Sequence, residues 1–304
     1  MISTSDAAAA AALLAEARDA TDRRLARWAD RLRLRVGGRD GDALAYALAS
    51  PGKRVRAALV LAAYRAAGGA APGIDGVAAA VETVHTYSLV HDDLPCMDDD
   101  DLRRGRATTH RAFDLATATR VGFLLVPVAA EVLSEAAGEL GLGAAALGRM
   151  ATELFRAGGV EGMVGGQWLD LEAEGHRLDL ASLIAVHRGK TGALIRASCV
   201  LGGMAASAGP TELSALAAFG DDVGVAFQIA DDVLDATATS ETLGKTAGRD
   251  LALNKSTYAQ VLGVDGARAE AGRLAERALG HLAGSGCATA SLAVLADYIV
   301  TRSS

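Results

Sequence analysis

Residues 81–98 read VETVHTYSLVHDDLPCMD, an apolar run that ends in two aspartates and is closed by a proline. Val81, Val84, Leu89 and Val90 make the run helical in character, and Pro95 stops the helix just after Asp92 and Asp93. Asp98 is therefore brought back by a loop. Residues 92–101 hold six acids and residues 103–106 three arginines, a costly arrangement unless something bridges it. An acidic run standing alone is as readily a solvated face or a cap. A second cluster changes that balance: DDVLD, residues 231–235, lies at the end of the apolar run Val223 to Leu234. Asp231 and Asp235 share one helix face at a spacing where like charges repel. Hard oxygen ligands with room left for water suit Mg2+, whose shell is then filled by phosphate oxygens. Asp92, Asp93, Asp98, Asp231, Asp232 and Asp235 are the candidate metal ligands. Two such sets facing one diphosphate fit a chemistry in which charge develops as a C–O bond ionises.

Around these clusters, alanine, leucine and arginine dominate and no strand-like alternation is sustained, which predicts an all-α protein. Helices are expected over 6–34, 41–48, 53–67, 74–92, 113–136, 143–157, 179–206, 211–236, 254–261 and 265–282, with a last one near 289–301. Gly/Pro punctuation at 50–52, 68–73, 138–143 and 209–210 supplies short connectors. No composition break divides the 304 residues, so one domain over 1–304 is expected. With 51% hydrophobic and 22% charged residues the chain has the balance of a globular protein. A net charge of -7 with no Lys/Arg-dense block disfavours nucleic acid as a partner. The longest apolar stretch, Val121 to Ala130, is about half of the roughly 20 residues a spanning helix needs, so no transmembrane segment is expected. The N-terminus lacks the basic start of a signal peptide, making the cytoplasm the default. Cys96, Cys199 and Cys287 have no CxxC pairing and read as reduced thiols.

DDLPCMD (92–98) and DDVLD (231–235) resemble the two aspartate-rich motifs of the trans-isoprenyl diphosphate synthases, in the bacterial short-chain branch of farnesyl and geranylgeranyl diphosphate synthases. GKRVR (52–56), GMVGGQWLDLE (162–172), HRGKTGALIRAS (187–198), FQIADDVLD (227–235) and LGKTAGRD (243–250) extend the match in order, over about 44 to 300. The resemblance implies a helical bundle around a central cleft, a Mg2+ cofactor, a homodimer, and condensation of an allylic diphosphate with isopentenyl diphosphate. It assigns Lys53, Arg56, His85 and Arg104 to isopentenyl diphosphate and Arg103 to the allylic diphosphate. Lys190, Thr191 and Gln228 would line the cleft near the reacting carbons. Lys245 and Lys255 would neutralise the departing diphosphate, against the ordinary alternative of surface lysines. Gly52 to Arg56 opens a helix, where free backbone N–H groups favour an anion; Arg54 reads as a solvent-facing neighbour. Asp170 and Glu172 read equally well as a structural network and stay outside the catalytic set.

The resemblance breaks at ATRVGFLLVPVA, residues 118–129, where the family usually has an L-A-G-D-A-L core. Phe123 stands where the aspartate would be. This departure leaves room for two other readings, a relative with an altered acceptor or cyclase-like outcome and a weakly active subunit. Product length turns on the helix ending at Asp92. Ser88 and Tyr87, four and five residues earlier, lie about one turn deeper on roughly the same side. In the family a bulky residue at the Tyr87 position stops chain growth, which implies a C15 product; Phe123 is the other candidate floor.

Overall fold

The computed structural model describes residues 4–237 and 256–302. Long helices account for nearly all of it: α1 (Thr4–Val36), α2 (Gly38–Leu48), α3 (Val55–Ala66), α4 (Ile74–Asp92), α6 (Leu115–Glu139), α7 (Ala144–Gly158), α8 (Met163–Glu172), α10 (Ala193–Ala205), α11 (Pro210–Thr237), α12 (Tyr258–Leu282) and α13 (Ala290–Thr301). Short elements join them: the hairpin β1 (Leu102–Arg103) and β2 (Arg106–Ala107), one helical turn α5 (Thr109–Ala112), and α9 (Leu180–His187), which runs through a π turn (Arg188–Gly192) into α10.

Small residues let the helices approach one another closely. A Cβ on Gly202 of α10 would stand 2.4 Å from the Val60 carbonyl oxygen of α3, and one on Gly76 of α4 would stand 2.6 Å from Ala136 of α6. α4 packs on α1, α3 and α6, and α10 bridges α3 to α11, which lies along α12. The core between them is aliphatic, with Leu44, Leu59, Val81, Leu125, Leu154, Leu201 and Phe219 fully buried. A smaller cluster, including Leu183, Ile229 and Tyr258, lies under α9, α11 and α12. Close packing of this kind fixes where each helix end falls.

Several expectations are adjusted. The helix expected over 179–206 is interrupted by the π turn, and α12 fuses the later part of 254–261 with 265–282 across Gly263, whose φ of 72° only glycine adopts readily. α8 and the hairpin had no clear period in the sequence and were not expected. Pro127 sits inside α6 without ending it. α6 and α11 are long and apolar enough to cross a membrane, by length and composition alone, although no spanning segment was expected. Their apolar windows are 50% and 61% buried inside the bundle.

Candidate active site

α4 delivers Asp92 and Asp93 to its C-terminal end, and the loop then folds back as Pro95 requires. The Asp98 N–H donates to the Asp92 carbonyl at 2.8 Å, and the Asp100 N–H to the Asp93 carbonyl at 3.2 Å. The two carboxylates nevertheless differ. Asp93 is buried and accepts from Arg103 Nε at 2.6 Å, and Arg103 also reaches Asp100 at 3.2 Å. Burial raises the Asp93 carboxyl, and Arg103 opposes the rise. Among the described residues Asp92 has no such clasp. Burial, with Asp98 and Asp93 close by, raises it to about 6, although Lys190 and Arg103 pull the other way. A carboxyl held at that value beside two more aspartates lacks positive charge, which a divalent cation could supply.

The turn that carries Lys190 is seated between glycines. A Cβ on Gly166 of α8 would fall 2.0 Å from the Lys190 backbone nitrogen, and one on Gly224 of α11 would fall 2.7 Å from the Gly192 Cα. Backbone contact on both sides thus clamps the π turn, an element often found at functional sites. Lys190 Nζ donates to Asp170 at 2.6 Å, Thr191 Oγ1 to Gln228 Oε1 at 2.9 Å, and Gln228 Nε2 to Asp232 at 3.0 Å. The second Asp232 oxygen accepts the Tyr258 N–H at 2.8 Å. Asp232 is thus buried with both oxygens engaged, whereas Asp231 is half-exposed on the face of α11 that carries Asp235. Of the six candidate metal ligands, Asp93 is clasped by Arg103, Asp232 has both oxygens engaged, and Asp231 pairs with Arg302 through one oxygen. Asp92 with Asp98 close by, and the half-exposed Asp231 with Asp235 one turn on, could hold a cation.

A basic pocket lies beside Asp93, between α4, the start of α3 and the hairpin, lined by His85, Arg54, Arg103 and Arg104 among others. Arg104 Nη1 donates to the Pro51 carbonyl at 2.5 Å, and Gly52 leaves the space its guanidinium occupies. Burial first, then the field of Arg56, Arg104, Arg103 and Arg54, holds His85 well below the ordinary imidazole value, so it is neutral at pH 7. Lys53 is exposed, one residue before Arg54. Arg56 Nε is buried without an acceptor among the described residues. Arg54 corrects the sequence reading: it is buried and paired with Asp22 at 2.8 Å and Glu82 at 3.1 Å, not turned to solvent. Its left-handed φ of 54° precedes α3 and turns the chain into that helix.

Tyr87 is partly buried on α4, its hydroxyl raised by burial and by Asp92. Its ring meets His91 edge-on at 5.1 Å, and His91 meets Phe123 at 5.4 Å. Gly122 makes that stack possible, since a Cβ there would lie 1.9 Å from His91 Nε2. Phe123 itself is 66% exposed on the outer face of α6, and Ser88 donates to the His85 carbonyl at 2.9 Å. Lys245 and Lys255 lie outside the described residues. Asp99, Asp101 and His110 also bring one ligand atom each within 4.8 Å of one another. Asp101 there is taken by Arg111 at 2.5 Å. Sequence reasoning missed two partners, Asp170 on Lys190 and Arg302 on Asp231 (2.5 Å). Asp170 stood in a recognisable motif, while Arg302, almost at the end of the chain, carried no signal.

The chain is similar to known proteins over most of its length. Residues 41–286 match the profile of the polyprenyl synthetase family. The chain is 45% identical over 255 residues to the farnesyl diphosphate synthase of Escherichia coli strain K12, covering 83% of this chain and 85% of that one. It is 41% identical over 265 residues to the large subunit 1 of a heterodimeric geranylgeranyl pyrophosphate synthase of Arabidopsis thaliana, covering 86% and 71%. Among solved structures it superposes on an FPP/GFPP synthase from Zymomonas mobilis with a TM-score of 0.81 at 33% identity, over 97% of this chain and all of that one.

Proposed function

The chain belongs to the polyprenyl synthetase family and is a short-chain prenyltransferase, and on that premise we propose that it makes farnesyl diphosphate from isopentenyl diphosphate and dimethylallyl or geranyl diphosphate. The observation that carries the proposal is that the clamped turn is linked to both aspartate motifs, to Asp92 through the charge of Lys190 and to Asp232 through Thr191 and Gln228. Lys190 is the foremost positive charge acting on Asp92.

Asp92, Asp98, Asp231 and Asp235 would hold Mg2+. The ions, when bound, would neutralise the charge that develops on the diphosphate as the allylic C–O bond ionises. Asp93 and Asp100 hold Arg103 close to Asp92, where its guanidinium would turn to the allylic diphosphate. Asp170 steadies Lys190, so that its ammonium faces the same group without a search through rotamers. Thr191 and Gln228 present oxygen dipoles that can face a carbocation without attacking it. Lys53, Arg56, His85 and Arg104 would take the isopentenyl diphosphate. His85, being neutral, contributes hydrogen bonds there and the arginines contribute charge. The proton lost after condensation is assigned to the released diphosphate.

Tyr87 supports a C15 product, because it stands one turn below Asp92 and is braced by His91. We read residues 1–304 as one domain working in the cytoplasm. We also propose a homodimer, in which a second copy covers exposed apolar side chains such as Leu115 and Phe123. The reading is tested by incubating the protein with Mg2+, isopentenyl diphosphate and allylic primers of increasing length, then identifying the alcohols after dephosphorylation. Farnesol as the main alcohol is expected. A main C20 alcohol would move the assignment to geranylgeranyl diphosphate, and a cyclic hydrocarbon would remove it.

A further inference from the structure

α13 ends at Thr301, and the next residue, Arg302, turns back into the bundle with its side chain only 2% exposed. Its guanidinium stacks on the Phe227 ring at 3.9 Å, donates to the Phe227 carbonyl at 3.2 Å and donates from Nη2 to Asp231 Oδ1 at 2.5 Å. Phe227 and Asp231 are one turn apart on α11, so a single planar side chain grips both. Among the described residues Asp231 is held at one oxygen. No donor among them reaches its Oδ2, and the side chain is 46% exposed.

We propose that Arg302 is a positioning residue that acts through Asp231, fixing one carboxylate oxygen so that the other is presented to a metal ion; this rests on reading Asp231 as a ligand. An aspartate on a helix can rotate its carboxylate and offer either oxygen. A guanidinium locked against an aromatic ring removes that freedom before the ion arrives, as outer partners of ligating carboxylates do. The placement is a poor bargain for stability alone. Nε and Nη1 of Arg302 are buried without acceptors among the described residues, and the buried Arg56 lies close enough to feel its charge. An apolar side chain would fill the same space without stranding those donors.

The test uses Mn2+ as the probe, titrated into the full chain and followed by the electron paramagnetic resonance signal of the free ion. Arg302→Met should weaken Mn2+ binding about 10–100-fold, with the thermal midpoint unchanged or raised. Arg302→Lys should recover part of the loss, because a point charge can pair with Oδ1 but cannot stack as a plane. In steady-state assays the apparent KM for Mg2+ should rise much more than kcat falls at saturating Mg2+. If Arg302→Met does not fold, removal of residues 302–304 provides the same measurement. Mn2+ affinity that is unchanged or tighter in Arg302→Met, while Asp231→Asn loses it, overturns the proposal alone. An Asp231→Asn protein that binds Mn2+ like the wild type overturns the metal reading and this proposal together.

Discussion

At the scale of single residues, Asp92 combines a functional need with a cost to the fold. The folded carboxyl keeps its proton up to about pH 6, whereas the ordinary value is 3.8. The stability contributed by that proton is complete below the ordinary value and is lost as pH rises through 6. Asp92→Asn should therefore stabilise the metal-free protein at pH 7 by up to about 3 kcal/mol, as read from urea unfolding. The same variant should lose turnover by orders of magnitude. Mg2+ affinity of the wild type should fall as pH drops below about 6, because the proton and the ion compete for one carboxylate. A flat affinity between pH 5 and 7 would show that Asp92 is not a ligand. Tyr87 makes a second claim. Tyr87→Ala should lengthen the main product to C20 or beyond, and Phe123→Ala should do less, since Phe123 reaches Tyr87 only through His91. Chromatography of the dephosphorylated alcohols decides it, and the reverse order would transfer the floor to Phe123.

Among the elements, the π turn at Arg188–Gly192 converts helix packing into chemistry. Lys190 and Thr191 lie side by side in sequence, yet one bonds to α8 and the other to α11. The wide turn permits this, and Gly166 and Gly224 permit the wide turn by letting two backbones touch it. Gly166→Ala drives a Cβ to 2.0 Å from the Lys190 nitrogen, where only backbone can yield. The expected result is a loss of about 1–3 kcal/mol of stability together with a fall in kcat of about 100-fold, typical of a displaced catalytic group. A Gly166→Ala protein with kcat within twofold of wild type would mean that Lys190 does not depend on this contact.

Over the whole molecule, the longest reach belongs to α1, which is tied to the bundle by a buried charge. Arg24, 7% exposed at its side chain, bonds Glu139 at 2.6 Å and Asp75 at 3.0 Å, and lies 3.4 Å from Glu135. It joins α1 to α4 and α6, the pair that carries Asp92 and Phe123. Removing the cation leaves three carboxylates facing one another. Arg24→Ala should cost about 3 kcal/mol, at the lower end for buried pairs because its partners are partly solvated. Arg24→Met should recover some of that through packing. A shift below about 1 kcal/mol in the unfolding free energy would show that α1 is held by its apolar face alone.

Composition and local pattern were enough to determine the all-helical class, most helix positions and the two aspartate motifs, because these depend on neighbours within a turn or two. The end of α4 was readable from Pro95 for the same reason. Which carboxylates are clasped by protein donors was decided elsewhere. Asp92 and Asp93 are adjacent in sequence, as are Asp231 and Asp232, and nothing local distinguishes the members of either pair. Arg103 claims Asp93, and Gln228 with the Tyr258 N–H claims Asp232. Arg54 was buried by Asp22 and Glu82, 32 and 28 residues away. Arg302 reached Asp231 from 71 residues away. Charge pairing across such separations depends on how helices pack, and that packing was set by small residues whose significance appears only when two backbones meet.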